Sequence, residues 1–454
     1  MPAITSSFLE LLSRFRCTFS GPVFRNFEIL AIGAVLNHGR QTICGVLRIY
    51  PGSVEKHWSC FHRFLSTVHW SPLALSKQLC SLILDSIPSS NEVILIADDT
   101  LIRRWGKKVS RISVHRDPIR SGKSGKKTVY ARGHEWMVIS IAFKTRHRSQ
   151  PWALPVFVFP EIPQKVLDSE HEENGKRCGQ YRSPTQLIIL ALRLLRRWFP
   201  TRRFLLLADG SLNTHELHRF VANDAQLDVI GHFRKDSVLH ATPPKHPTGK
   251  RGRPRKIGIR LPSPAEAAAM EKAAWEKKNC HWYGNTEKTQ WLLSDTACWY
   301  RPGKSVPRIR WVVVRDPDAK SKDNVLCTSR LGMLSDEIVS SYVIRWSIET
   351  TFEESRKHLH VETTENWSRK AIQRTIPLLF GLFSLIVLWY AEQRKKPFMR
   401  HDAWYAKNEP SFSDAITQLR TELWMKSIFP ESKSPRGFLK NKKELLKFII
   451  SKAA

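Results

Sequence analysis

The chain is short of acidic residues: 41 Asp and Glu stand against 73 Lys and Arg in 454 residues, a formal net charge of +32. Such an imbalance argues against basic partners and for a polyanion, of which nucleic acid is the commonest. A ribosome-associated or generally adhesive basic protein is the plain alternative. No Cys-x-x-C pair occurs among the 8 cysteines (Cys17, Cys44, Cys60, Cys80, Cys178, Cys280, Cys298 and Cys327). That absence argues against a disulfide framework and for reduced thiols in the cytosol. His57-Trp-Ser-Cys60-Phe-His62 lacks a partner pair at zinc spacing and reads as ordinary packing. No long apolar run occurs either. The most apolar stretch, Leu378 to Tyr390, is too short to span a bilayer and suits a buried helix. Residues 1–17 lack the charged-then-apolar order of a signal peptide and read as an amphipathic helix. No internal repeat is visible.

The length predicts two to four domains with a substantial core. Five stretches differ in character. Residues 1–88 carry apolar residues at helical spacing, broken at Pro22, Pro51-Gly52 and Pro72, with basic and aromatic residues around Lys56-His-Trp58 and His62-Arg63. They predict a helical DNA-binding or dimerisation domain, or a plain helical cap on the next domain. Residues 89–237 turn to strands at Val93–Ala97, Trp136–Phe143, Pro151–Phe159, Phe204–Ala208 and Leu227–Phe233. Helices are predicted at Leu187–Trp198 and Thr214–Val221. This order predicts a mixed α/β sheet. Between the first two strands, Arg103–Arg132 reads as an exposed basic loop or hairpin.

Residues 238–308 read as a β-rich insertion. It carries Arg251-Gly-Arg253-Pro-Arg255, a run resembling an AT-hook whose arginines fit a narrow minor groove; a solvated turn is the rival reading. Residues 309–395 return to the α/β pattern with a helical segment, Asp336–His358. Residues 396–454 read as a basic helical tail.

Asp98 and Asp209 close two apolar strand-like runs, and Glu349 lies on the helical segment. A carboxylate ending a buried strand is a poor core residue but a good ligand for a hard divalent cation. Tyr342, Arg345, Glu349, Glu353 and Arg356 recur at helical spacing and share one broad face. The same spacing also describes a solvated face laced with Glu–Arg pairs.

Tyr342-x2-Arg345-x3-Glu349-x6-Arg356 resembles the Y-x2-R-x3-E-x6-K signature of bacterial insertion-sequence DDE transposases, the cut-and-paste group with a β-strand insertion in its catalytic domain. Ala97-Asp98-Asp99-Thr100 and Ala208-Asp209-Gly210 match its two aspartate motifs in order. The resemblance covers about residues 90–390. It departs at the family's lysine, where this chain has Arg356 followed by Lys357. The resemblance implies a ribonuclease-H-like α/β core interrupted by the β-rich insertion and flanked by helical N- and C-terminal regions. It implies that Asp98, Asp209 and Glu349 hold two Mg²⁺ ions about 4 Å apart, with Mn²⁺ as a substitute. The reaction implied is in-line phosphoryl transfer: cleavage at transposon ends, then joining to target DNA. Tyr342, Arg345, Arg356 and Lys357 are the implied phosphate contacts. An insertion-domain Trp stacks on a flipped base; Trp291 leads, with Trp282, Trp299 and Trp311 as rivals. Double-stranded DNA is the implied partner, a homodimer the implied assembly, and the bacterial cytoplasm, at the nucleoid, the implied location. Asp99 rivals Asp98 for the first aspartate, because neighbours on a strand face opposite ways. A catalytically silent DNA-binding derivative and a stand-alone nuclease are the alternative functions.

Overall fold

Residues 8–85 are helical, and the starts of the helices are written locally. Thr42 and Ser71 accept hydrogen bonds from Gly45 N–H and Ala74 N–H, and Pro22 and Pro72 occupy first-turn positions where no donor is lost. The computed structural model describes residues 8–52, 54–117, 120–121, 128–175, 179–244, 255, 257–317, 323–393, 398–399 and 407–428. Its first helices are α1 (Phe8–Ser13), α2 (Gly21–Leu36), α3 (Ile43–Ile49), α4 (Ser59–Ser66) and α5 (Pro72–Asp85).

Strands β1 (Val93–Arg103), β2 (Ser113–Arg116), β3 (Tyr130–Thr145) and β4 (Arg148–Glu161) follow. Next come α6 (Gln164–Asn174), α7 (Pro184–Trp198), β5 (Phe204–Ala208), α8 (His215–Val221) and β6 (Leu227–His232). β7 (Leu239–His240), β8 (Arg260–Leu261), α9 (Pro264–Ala268), β9 (Glu276–Trp282), β10 (Thr286–Trp299), β11 (Arg308–Arg315) and β12 (Asn324–Thr328) form the next block. The chain continues through α10 (Ser335–Val343), α11 (Ser347–His358), α12 (Arg369–Ala391) and α13 (Phe412–Ile428).

All strands join one 12-stranded mixed sheet in the order β2-β3-β1-β5-β6-β12-β11-β10-β7-β8, with β4 on β3 and β9 on β10. β1, β5 and β6 are parallel, and β5 is buried throughout, as a strand covered on both faces requires. The strands of the 238–308 segment therefore continue the central sheet. β12 pairs with β6 from Leu326 to Thr328, and Phe233 N–H adds a bond to the Val325 carbonyl. Arg330 and Ser329 clamp the join by donating to Asp228 at 2.8 and 2.9 Å.

β4 carries an irregularity that positions the later helices. Ile139 faces Phe157 and Ser140 faces Pro155, so Val156 is the extra residue of a bulge beside a proline that cannot donate to the ladder. The Ala153 carbonyl accepts from Thr351 Oγ1 of α11 at 2.8 Å, and the Pro155 carbonyl from Ser384 Oγ of α12 at 2.9 Å. α12 is long and apolar enough to cross a membrane by length and composition. Here it is mostly buried, packed on β4 and the N-terminal helices, with Phe380, Phe383, Ile386 and Trp389 in the main core. Arg374 fastens α12 to the N-terminal helices. It donates to the Phe64, Leu65 and Trp70 carbonyls at 3.2, 3.1 and 3.0 Å and lies over the Trp70 ring. Two of these carbonyls belong to the last turn of α4, which has no helical partners for them.

Two boundaries differ from the sequence expectation. β1 does not stop at Ala97; it runs to Arg103 because β3 pairs with it as far as Gly133. The segment Asp336–His358 is not one helix. A 3-10 turn, Ile344–Trp346, separates α10 from α11. Arg251 and Arg253 of the AT-hook-like run lie outside the described residues, and Arg255 is exposed. Much of the 396–454 tail also lies outside them. The described cysteines are all free thiols.

Candidate active site

The site begins where the parallel pairing ends. Ala97 is level with Ala208, and Ala208 with Gly231, so Asp98, Asp209 and His232 follow on three adjacent strands. After Asp209 the chain turns back at once: its carbonyl accepts from Leu212 N–H at 3.0 Å and Asn213 N–H at 2.8 Å. Asn213 Nδ2 then donates to the His232 carbonyl at 3.0 Å, tying the turn to the end of β6. Gly231 makes room for this tie, because a Cβ there would stand 2.4 Å from the Asn213 side chain.

Glu349 arrives on α11, and two further contacts press that helix onto β1. Arg356 donates to Thr100 Oγ1 and, at 3.4 Å, to the Leu101 carbonyl; its Nε lies 3.5 Å from Glu362. Thr100 shares a strand face with Asp98, which gives the Asp-x-Thr spacing a physical meaning: one residue faces the site and the next-but-one anchors its helix. Arg345, on the 3-10 turn, joins the two elements directly. Its Nη1 donates to Asp98 Oδ2 at 2.9 Å and its Nη2 to Glu349 Oε1 at 2.9 Å.

Burial pushes the Asp98 carboxyl up to about 7 against the opposing pull of Arg345, with Asp99 and Asp209 adding to the rise. Desolvation works against the Arg345 charge. Tyr342 and the carboxylates of Asp98, Asp209 and Glu349 together outweigh it and raise its pKa. Asp209 thus belongs to the same electrostatic cluster as Asp98 and Glu349. Among the described residues, no three carboxylate, imidazole or thiolate side chains are spaced to enclose a metal ion. The guanidinium of Arg345 stands between two of the candidates. The donors themselves, hard carboxylate oxygens from β1, β5 and α11, are of the kind Mg²⁺ takes.

Asp99 faces the other way. It sits level with Met137 and forms an acidic group with Glu135 and Glu161, within electrostatic reach of Asp98 and Asp209. Burial, then Glu135, pushes Asp99 up to about 6, and burial pushes Glu161 up to about 8. His115 Nδ1 lies 3.1 Å from Glu135 Oε2 and draws the Glu135 carboxyl down.

The expected DNA contacts divide. Tyr342 is half-buried with its ring 5.8 Å from the Arg345 guanidinium, and Lys357 is exposed on α11. Arg356 is turned inward, as above. Trp299 and Trp311 are buried in a second apolar cluster beneath β10–β12, so neither ring has a face to offer a base. Trp282 is half-buried, and Trp291 is 37% exposed on β10, level with Arg315 and Lys277. Two aromatics not singled out from the sequence stand near Arg345. Trp346, 52% exposed, adjoins Arg345, and Tyr283 approaches its ring at 6.0 Å from the β9–β10 connection. Gly284, at φ +72°, allows the tight turn behind Tyr283, and His281 N–H donates to Ser340 Oγ to dock this connection on α10. The position of Trp346 beside Arg345 was a readable signal; that of Tyr283 needed the fold.

Carboxylates gathered where the parallel pairing of β1 and β5 ends, in so basic a chain, suit a nuclease-type enzyme that acts on a nucleic-acid backbone. A family model described as DDE superfamily endonuclease matches residues 14–289, more than half of the chain, and the chain belongs to that family. The match takes in Asp98 and Asp209 and ends before Glu349. No curated protein matches the chain at a significant level.

Proposed function

We propose that this DDE endonuclease-family chain is a DNA transposase that cleaves transposon ends and joins the freed 3′-hydroxyl to target DNA. Its catalytic core is ribonuclease-H-like, formed by residues 89–237 and 309–395 around the β-rich insertion at 238–308. The observation that carries the reading is the grouping of Asp98, Asp209 and Glu349 around one guanidinium, from three separate parts of the sequence.

Asp98, Asp209 and Glu349 would hold the divalent cations, Mg²⁺ or Mn²⁺. Bound there, such ions lower the pKa of an attacking water or hydroxyl and stabilise the leaving oxygen. The chain's own groups do the rest. Arg356 and Thr100 hold α11 at a fixed distance from β1. Lys357, Arg345 and Tyr342 face the backbone phosphates. Tyr283 and Trp346 offer half-open rings beside the carboxylates, in the role expected of Trp291. Residues 1–88 bind DNA or a second copy, and Arg251, Arg253 and Arg255 add an arm suited to a minor groove. The assembly is a homodimer at paired DNA ends, in the bacterial cytoplasm.

Incubation with Mg²⁺ and DNA carrying the element's own terminal inverted repeats tests this. End cleavage plus joined product is expected. Cleavage without joining would make the protein a nuclease alone, and a mobility shift without cuts a silent DNA-binding derivative. Asp209→Ala is expected to abolish both reactions while end binding persists.

A further inference from the structure

Arg345 is held in an unexpected way for a phosphate contact. Both of its terminal nitrogens are committed, at 2.9 Å each, to Asp98 and Glu349. The Arg345 and Asp98 side chains are each only 14% exposed, so water screens this pair weakly. The arrangement depends on the 3-10 turn between α10 and α11, and on a planar fork that reaches two carboxylates at once. A lysine ammonium has no such fork.

We propose that Arg345 is an internal counter-cation of the carboxylate site. It is seated between Asp98 and Glu349 before metal loading and exchanged for divalent cation on loading. The inference rests on the reading of Asp98, Asp209 and Glu349 as metal-holding residues. The oxygens that Arg345 engages, Asp98 Oδ2 and Glu349 Oε1, belong to two of the three carboxylates that would hold a metal ion. A guanidinium remaining there would also repel a dication. Arginine does not leave by deprotonating, so the exchange is a movement of the side chain. Once released, its fork faces the one remaining anion at the site, the substrate phosphate. Arg345 therefore serves two anions in turn: it keeps three clustered carboxylates from repelling one another while the site is unloaded, and it holds DNA afterwards.

If Arg345 is seated in roughly nine molecules of ten, apparent metal affinity is lowered about tenfold. The test is a Mn²⁺ titration by calorimetry, with thermal melting with and without Mn²⁺, on the full chain in the absence of DNA. Arg345→Gln is expected to bind Mn²⁺ about tenfold more tightly than the parent. Its metal-free form should melt lower, and Mn²⁺ should raise its melting temperature by more. Arg345→Lys, which keeps the charge but loses the fork, should tighten binding about threefold and serves if the Gln variant does not fold. Lys235→Gln removes a nearby cation that acts on His232 instead, and should leave Mn²⁺ affinity within about twofold. Unchanged or weaker Mn²⁺ binding by both Arg345 variants overturns the exchange but leaves the metal-site reading standing. Equal tightening by Lys235→Gln reduces the effect to general charge and also overturns it. Absence of Mn²⁺ binding by the parent and every variant overturns both the exchange and the reading beneath it.

Discussion

Replacing Asp98 and Asp99 with asparagine, one at a time, separates the two faces of β1. Asp98 meets Arg345 at 2.9 Å on the face of Thr100, whereas Asp99 meets Glu135 on the other. On the proposed function, Asp98→Asn loses a metal-holding carboxylate and several kcal/mol of transition-state stabilisation, and is expected to slow DNA cleavage in Mg²⁺ about 10³-fold. Asp99→Asn should leave cleavage within about threefold, because it touches neither Arg345 nor α11. Its effect is on stability. A carboxyl raised from 3.8 to about 6 in the folded protein opposes folding at neutral pH. Two such units correspond to about 3 kcal/mol; Asp99 meets solvent, and screening reduces this to about 1 kcal/mol. The sign follows from proton uptake. The folded state binds more protons than the unfolded between about pH 4 and 6, so the parent loses stability as pH rises through that window. Asp99→Asn removes the loss and should be the more stable protein at pH 7, with the advantage vanishing by about pH 4. Cleavage of labelled duplex and urea denaturation across pH measure the two effects. If Asp99→Asn is inactive and Asp98→Asn active, the face assignment is refuted.

His218 is fully buried, with Nε2 2.8 Å from Asn213 Oδ1, and burial pushes its pKa down to about 3. The unfolded chain protonates it near 6.5, so urea denaturation should show about 2 kcal/mol lost between roughly pH 7 and 5, an acid sensitivity absent from a stably folded His218→Gln variant. Gly231→Ala places a methyl against Asn213 and should cost about 1–3 kcal/mol in denaturant. Because Asn213 ties the Asp209 turn to β6, cleavage should fall with it; unchanged melting and activity would count against that tie. Arg374→Leu strips the donor from the Leu65 and Trp70 carbonyls, while the Phe64 carbonyl keeps Trp70 Nε1, and should cost roughly 3 kcal/mol by calorimetry. DNA affinity should drop by about 10³–10⁵ between roughly 50 and 200 mM salt if six to ten phosphates are neutralised, and a flat response would place the positive charge elsewhere.

Much of the site was legible because strand and motif signals agree there. Val93–Ala97 and Phe204–Ala208 are apolar runs that each end on a carboxylate, and their level pairing makes those endings neighbours. That Asp98 and Asp99 face opposite ways was also legible, since alternation along a strand separates them and Thr100 falls on the side of Asp98. The break in the helical segment was not. Tyr342 to Arg356 fits helical periodicity, and no Pro or Gly marks the turn at Ile344–Trp346. Only packing of α10 against the β9–β10 connection and of α11 against β4 reveals it. Arg356 was hidden for a similar reason: its spacing announces a cation on the site's face, while its partners, Thr100 and Glu362, lie on elements that the fold alone brings near. The exclusion of Trp299 and Trp311 likewise needed the cluster they fill, because an aromatic in a strand reads alike whether it points inward or outward.

Because β12 is stitched to β6, and β11, β10 and β9 follow outward without a break, Tyr283 rides on the same continuous sheet as Asp98 of β1 and the end of β5 that leads into Asp209. Such a plank has no elbow at which to fold over its cargo. On the proposed function, a base that reaches the Tyr283 ring while its phosphate lies at the carboxylates must leave its stack, at an expense of a few kcal/mol that varies with base sequence. Easily kinked steps beside the cut would then be favoured even where no side chain reads a letter.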